Sequence, residues 1–270
     1  MKKYIFIDID GTLTNSQKQV SKNNVIAMQN IEKKDYEIVF CSGRTNTYLI
    51  NLSKKCKVSR YIISSNGSMI YDQKERQIVY QDKIPFNILN TIYEYCENNK
   101  MALFFNTENN RYCNTHLNYS PDDAEIITNM SSIKDKNITQ FVLGSYVYEE
   151  MVKAKDFLDT IEYLEIANES QTIKLQQKNS KNGFFYDVVL KNTNKGSGIK
   201  HFITLLNIKP ENCIAIGDHI NDISMFKAVE YKIAMGNACD ELKQKANFIT
   251  TTNDEDGVKY ALDYIEKRII

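Results

Sequence analysis

The sequence has no tryptophan, only 3 prolines and 10 glycines in 270 residues, and no net charge. So little glycine and proline excludes collagen-like and low-complexity chains. Lys plus Arg and Asp plus Glu both number 34. That balance argues against a nucleic-acid binder working through bulk positive charge. No apolar run approaches the roughly 20 residues that cross a bilayer. The opening Met-Lys-Lys-Tyr-Ile-Phe-Ile imitates a secretion signal, but Asp8 and Asp10 end the apolar run Tyr4–Ile7 too early for one. Six cysteines, at 41, 56, 96, 113, 213 and 239, form no CxxC pair. Neither a disulfide framework nor a zinc site is expected. The reading is of a reduced, cytoplasmic chain.

What is present is ordinary globular composition, 42% apolar and 25% charged. Short apolar runs alternate with helical patterns. Tyr4–Ile7, Ile38–Cys41 and Tyr61–Ser64 read as strands, with helices at 21–34 and 45–56 between them. Apolar runs without alternation suit strands buried on both faces of a parallel sheet. The pattern then changes. A helix at 86–98 precedes a hairpin, Met101–Thr107 and Arg111–Thr115, around Glu108-Asn109-Asn110. Helices at 121–130 and 147–160 and strands at 138–143, 162–168 and 184–190 follow. From about residue 195 the first pattern returns. Ile199, Phe202, Ile203 and Leu206 form a helical stripe, and Cys213–Ile216 leads into Gly217-Asp218. Helices at 222–229 and 238–245 and strands at 231–235 and 247–250 complete the chain. The fold class is therefore α/β, a parallel-sheet core with an inserted α+β module. The core is expected at 1–82 and 189–270 and the insert at 83–188.

Open parallel sheets form sites beyond the carboxyl ends of their strands. Four such ends carry polar clusters: Asp8/Asp10, Ser42/Gly43/Arg44, Asn66/Gly67 and Asp218/Asn221/Asp222. Lys195 opens a helix. Asp8 and Asp10 point the same way in extended backbone. Carboxylates that close repel unless a cation sits between them, and oxygen ligands favour a hard ion such as magnesium. Ser42-Gly43 precedes a helix, where backbone N–H groups bind phosphate. A plain helix cap is the competing reading. Lys195 alone reads as a surface lysine. Beside three carboxylates it would neutralise phosphate oxygens.

Asp8-Ile9-Asp10-Gly11-Thr12-Leu13 resembles the first motif of the haloacid dehalogenase-like (HAD) superfamily. Ser42-Gly43-Arg44, Lys195-Gly196 and Gly217-Asp218-His219-Ile220-Asn221-Asp222 are similar to its next three. Asn66-Gly67, Met235-Gly236-Asn237-Ala238 and Asn253-Asp254-Glu255-Asp256-Gly257-Val258 are similar to further signatures of its Cof-type sugar-phosphatase branch. The resemblance implies a Rossmann-like core with a cap of the C2 type between the second and third motifs, where the pattern changed. It implies a phosphatase for small phosphate monoesters, sugar or cofactor phosphates, that works through an aspartyl-phosphate. Asp8 would be the nucleophile and Asp10 the general acid/base. Magnesium would be held by Asp8, Asp218 and the backbone carbonyl of Asp10. Ser42, Gly43, Lys195 and Asn221 would hold phosphate, supported by Asp222, Arg44 and Asn66. Asp222 would orient Lys195 or a metal-bound water, or merely cap a helix. An acid at position 10 disfavours dehalogenase activity.

The expected partner is a small phosphorylated metabolite, with no nucleic acid and no membrane, acted on by a monomer or dimer. A phosphomutase or phosphotransferase is the alternative enzyme, and a non-catalytic regulator that binds phosphate ligands is the third reading. Of the histidines, His219 reads as a loop residue. His116 and Arg111 lie in the insert's hairpin, where a solvated surface role competes with substrate contact.

Overall fold

Strands β1 (Lys3–Ile7), β2 (Tyr36–Cys41) and β3 (Tyr61–Ser64) are almost wholly apolar because both faces of their sheet are covered. They are joined by α1 (Lys22–Glu32) and α2 (Asn46–Cys56). The computed structural model describes residues 2–114, 124–173 and 182–268. The chain divides into two units, Met1–Tyr80 with Asn194–Ile270, and Gln81–Thr193.

The first unit holds an eight-stranded sheet. It adds β4 (Met69–Asp72) and β5 (Gln77–Gln81) beside β3. On the other side of β1 lie β12 (Cys213–Gly217), β13 (Tyr231–Ala234) and β14 (Phe248–Ile249). The order is β14-β13-β12-β1-β2-β3-β4-β5. Strands β14 to β3 run parallel, and β4 turns back antiparallel to β3. The chain leaves β1 toward β2 and later returns to its other side at β12. That reversal of strand order is where a crevice opens beyond the carboxyl ends. Ile7 pairs with Ile216 and with Phe40, so Asp8, Gly217 and Cys41 start the next layer together.

Helix α5 (Lys195–Leu205) is fixed to this sheet by Phe202, whose ring meets Tyr4, Phe6 and Tyr61 edge-on at 5.5, 5.6 and 5.1 Å. Asn194 caps it in a reciprocal box with Ser197. Gly196 is required by packing, since a Cβ there would lie 2.0 Å from the Ser224 carbonyl oxygen. Helices α6 (Ile223–Phe226) and α7 (Asp240–Lys243) are shorter than the sequence suggests. The final helix α8 (Gly257–Arg268) packs on α1 and buries Val258, Ala261, Leu262 and Ile265.

The second unit is a six-stranded sheet of order β10-β11-β9-β6-β7-β8. Its strands are β6 (Ala102–Asn106), β7 (Arg111–Cys113), β8 (Ala124–Ile126), β9 (Gln140–Ser145), β10 (Leu164–Ile173) and β11 (Asn182–Leu190). Helices α3 (Phe86–Asn98) and α4 (Tyr148–Asp159) bury Ile88, Ile92, Met151 and Leu158 against Leu103, Phe105, Phe141 and Leu143. The helix expected at 121–130 does not form over its described part. Ala124–Ile126 is strand β8, paired parallel with β7, and Met130–Ile133 is a 3-10 turn. Tertiary pairing overrides the local helical spacing there. Among the described residues, no helix is long and apolar enough to cross a membrane.

Candidate active site

Asp8 follows β1, and its backbone N–H donates to Ile216 O at 3.1 Å. Asp218 follows β12, so parallel pairing alone brings the two together. Asp222 sits one short turn later. Carboxylate oxygens of Asp8, Asp218 and Asp222 all lie within 4.8 Å of one another. Lys195, at the first position of α5, answers this charge. Its Nζ donates to Asp8 Oδ1 and Asp222 Oδ1, each at 2.7 Å. All three members of that bridge are buried.

The electrostatics follow from burial. Desolvation pushes the Asp8 carboxyl well above the usual range, with Asp222 and Asp218 repelling in the same direction and Lys195 opposing. Desolvation raises Asp218 to about 6, Thr12 opposing through its hydrogen bond and Asp222 adding repulsion. For Lys195, burial favours the neutral amine. Asp222 and Asp8 outweigh it and hold the ammonium charged well above its ordinary range.

Thr12 Oγ1 donates to Asp218 Oδ1 at 2.7 Å. In the sequence Thr12 stands inside the first motif, with no role assigned to it. Its signal was a hydroxyl on the loop that carries Asp8 and Asp10. Gly11 belongs to the same turn. It has φ +83°, and a Cβ there would lie 2.4 Å from Asp218 Oδ2. Only glycine fits both demands. Two later segments hold the loop. Asn237 Nδ2 donates to Gly11 O, and Asn253 Nδ2 to Thr14 O, at 2.8 and 2.9 Å. Asp254 accepts from the Ser16 backbone N–H at 2.8 Å and from its hydroxyl. The segments around 235–238 and 253–258 therefore support the loop after β1.

Asp10 points elsewhere. Arg44 grips it in a fork, Nε to Oδ2 at 2.8 Å and a terminal nitrogen to Oδ1 at 2.7 Å. Lys18 adds a weaker contact at 3.4 Å. Burial works to raise this carboxyl, but Arg44 and Lys18 outweigh it, so its pKa lies below the usual value. The carboxylate trio that could hold a cation is thus Asp8, Asp218 and Asp222, without the Asp10 side chain.

Ser42 and Gly43 are not the helix cap. Thr45 caps α2, accepting from the Tyr48 N–H, while Ser42 Oγ accepts from the Arg44 N–H at 3.3 Å. Asn66 lies against Gly43, where a Cβ would stand 2.8 Å from its amide oxygen. The Asn66 N–H donates to Ser42 O at 3.1 Å. The three expected residues thus form one turn-on-loop unit. Asn221 is the middle residue of the turn Ile220–Asp222, and its Oδ1 is buried without a hydrogen-bond partner. Asp222 does two jobs. Oδ1 meets Lys195, and Oδ2 accepts from the Asp218 and His219 N–H groups at 2.9 and 3.0 Å.

His219 contributes its backbone N–H to that turn, and His201 stacks on Tyr80 at 4.0 Å. Arg111 belongs to the second unit, where it lies over the Phe104 ring. His116 lies outside the described residues.

The residues fit a hard divalent cation. The donor set is oxygen only, three carboxylates meet within 4.8 Å, and burial raises two of their pKa values in the absence of such an ion.

Comparison with known proteins gives the family of the chain. A 5-amino-6-(5-phospho-D-ribitylamino)uracil phosphatase of Bacillus subtilis is 31% identical over 264 residues, covering 96% of this chain and 94% of its own. A Mycoplasma genitalium protein that carries a provisional phosphatase name is 27% identical over 275 residues, covering 96% of this chain and 97% of its own. A haloacid dehalogenase-like hydrolase from Bacteroides thetaiotaomicron superposes with a TM-score of 0.81 at 23% identity, covering 98% of this chain and 100% of its own. Residues 5–262 match the haloacid dehalogenase-like hydrolase family, to which this chain belongs.

Proposed function

We propose that the chain is a magnesium-dependent phosphatase that hydrolyses small phosphate monoesters through an aspartyl-phosphate on Asp8. The observation that carries this reading is the buried Lys195–Asp8–Asp222 bridge beside Asp218 at the strand-order reversal. In this reading Asp8 is the nucleophile, Lys195 the fixed cation beside it and Asp218 a metal ligand.

Lys195 favours the ionised form of Asp8, opposing the burial that raises its pKa. An Asp8 oxygen attacks phosphorus, and the bond from phosphorus to the leaving oxygen breaks. Asp10 gives that oxygen its proton. It then takes a proton from water, whose oxygen attacks phosphorus and releases Asp8. Arg44 holds Asp10 in the ionised form, the one that accepts a proton. To donate first, Asp10 must leave that fork. Ser42, Gly43, Lys195 and Asn221 hold the phosphoryl oxygens. Asp8, Asp218 and the backbone carbonyl of Asp10 would hold magnesium, which supplies positive charge to those oxygens when bound.

The insert, expected over 83–188, is the natural place for substrate choice, because the core residues address only the phosphate. The substrate class is a small phosphorylated sugar, polyol or cofactor precursor. The phosphorylated ribitylamino-uracil in the name of the Bacillus relative supports this class.

Purified protein should release phosphate from p-nitrophenyl phosphate with magnesium, stop on EDTA addition and fail as Asp8→Asn. Full turnover by Asp8→Asn, or in EDTA, would overturn the proposal. Isomerisation of a hexose phosphate without free phosphate would identify a phosphomutase instead.

A further inference from the structure

Helix α5 begins at Lys195, so the placement of its first turn decides where the Lys195 ammonium stands. The first N–H groups of a helix have no partner within it. Two of them are taken here by side chains. The Ser197 N–H donates to Asn194 Oδ1 at 3.0 Å. The Gly196 N–H donates to Ser224 Oγ at 3.1 Å, across 28 residues of sequence.

The Ser224 hydroxyl has a second bond, to Asn221 O at 2.9 Å. A hydroxyl has one hydrogen to give, so the directions are set. Ser224 donates to Asn221 and accepts from Gly196. A serine that bonds back to a carbonyl three residues earlier is a common local motif. That motif accounts for the Asn221 bond and not for the Gly196 bond.

The two backbones also meet at this point. A Cβ on Gly196 would lie 2.0 Å from Ser224 O and 3.1 Å from Ser224 Cβ. On the other side, a Cβ on Gly198 would stand 2.8 Å from Gly67 Cα, in the turn after β3. The first turn of α5 is therefore held from two sides, and the Ser224 hydroxyl is the polar link on one of them. It joins the residue directly after Lys195 to the turn that carries Asn221 and Asp222. All of these residues belong to the first unit.

We infer that Ser224 is a positioning residue, whose hydroxyl fixes the Lys195 ammonium and the Asn221 side chain relative to Asp8. The inference rests on the phosphatase reading above. It adds a residue that touches neither phosphate nor Asp8 and acts through two that do in that reading.

The test uses three variants of the full chain. Ser224→Ala removes the hydroxyl, Ser224→Thr keeps it, and Ser224→Val has the size of threonine without it. Turnover of p-nitrophenyl phosphate with magnesium gives kcat and KM, thermal unfolding gives Tm, and amide hydrogen exchange reads the Gly196 N–H. Ser224→Ala should lower kcat about tenfold or more and leave KM within about threefold, because the phosphate is still met but the attack is misaligned. Ser224→Thr should recover most of that kcat, and Ser224→Val should not. Exchange at Gly196 should speed up in the alanine and valine variants and stay near wild type in the threonine variant. Wild-type kcat in Ser224→Ala, however far Tm falls, overturns the inference. A loss confined to KM, equal kcat in the threonine and valine variants, or unchanged exchange at Gly196 overturns it as well. Each of these leaves the phosphatase reading standing. A wild type that releases no phosphate overturns that reading, and the inference with it.

Discussion

Arg44 holds Asp10 through a two-pronged fork, with both nitrogen-to-oxygen distances under 3 Å, at 2.8 and 2.7 Å. The fork sets both the orientation of the proposed acid/base and its charge. Arg44→Ala removes the group that lowers the Asp10 pKa and leaves burial, which raises it. The limb of the pH–rate profile that reports Asp10 should therefore move to higher pH. kcat should fall about tenfold or more as orientation is lost. Arg44→Lys keeps the charge but not the fork, so it should retain more of the low pKa than of the rate. An unmoved profile in Arg44→Ala would separate Arg44 from the chemistry.

Lys195 tests the buried bridge. Lys195→Met leaves Asp8 and Asp222 as buried carboxylates without their cation. Breaking such a bridge costs about 3–5 kcal/mol. The sign with pH is fixed. A carboxyl whose folded pKa lies above its unfolded value binds more protons when folded, so stability falls as pH rises through that window. Asp8 is already such a group, and losing Lys195 raises it further. Urea unfolding should show a larger loss at pH 7.5 than at pH 5. An equal loss at both would contradict the bridge.

Thr12 is predicted to act through Asp218. Thr12→Val keeps the size and removes the hydrogen bond to Asp218 Oδ1. Residues that orient a metal-binding carboxylate typically contribute 10–100-fold in affinity, so magnesium binding should weaken by about that factor. Calorimetric titration of magnesium into the substrate-free protein reads this directly. Unchanged affinity would reduce Thr12 to a loop residue.

The same trio predicts a pH-dependent metal effect on stability. Asp218 is raised to about 6 in the metal-free protein. Below that pH it is largely protonated, and a cation must displace the proton to bind. Between its ordinary carboxylate value and about 6, stability of the metal-free form falls as pH rises, because the folded state holds the extra proton. Magnesium should therefore raise Tm more at pH 7.5 than at pH 5. A magnesium effect independent of pH would contradict the assignment.

Much of this was readable from sequence, for identifiable reasons. Tyr4–Ile7, Ile38–Cys41 and Cys213–Ile216 are uninterrupted apolar runs, and only a doubly covered strand needs that pattern. Asp8 is legible because it directly follows such a run, and Asp218 because only Gly217 separates it from one. The antiparallel β4 was missed because Met69–Asp72 is short and stands directly after the Asn66–Gly67 turn. Helix α8 was legible and overlooked, since Val258, Ala261, Leu262 and Ile265 keep helical spacing. Strand β8 was not legible, because its pairing with β7 is tertiary. In the site, spacing brought Lys195 and Asp8 onto one list. It could not show that Asp10 turns to Arg44 or that Thr12 reaches Asp218. Those depend on side-chain direction within a loop, which no periodicity records.

The central claim is that Asp8 carries the phosphoryl group. Its most direct test is acid quenching during turnover of p-nitrophenyl phosphate with magnesium, followed by peptide mass spectrometry. The account predicts a phosphoryl group on the peptide that contains Asp8, absent from Asp8→Asn, which should be inactive. An unmodified Asp8 peptide throughout turnover, together with wild-type kcat in Asp8→Asn, would contradict it.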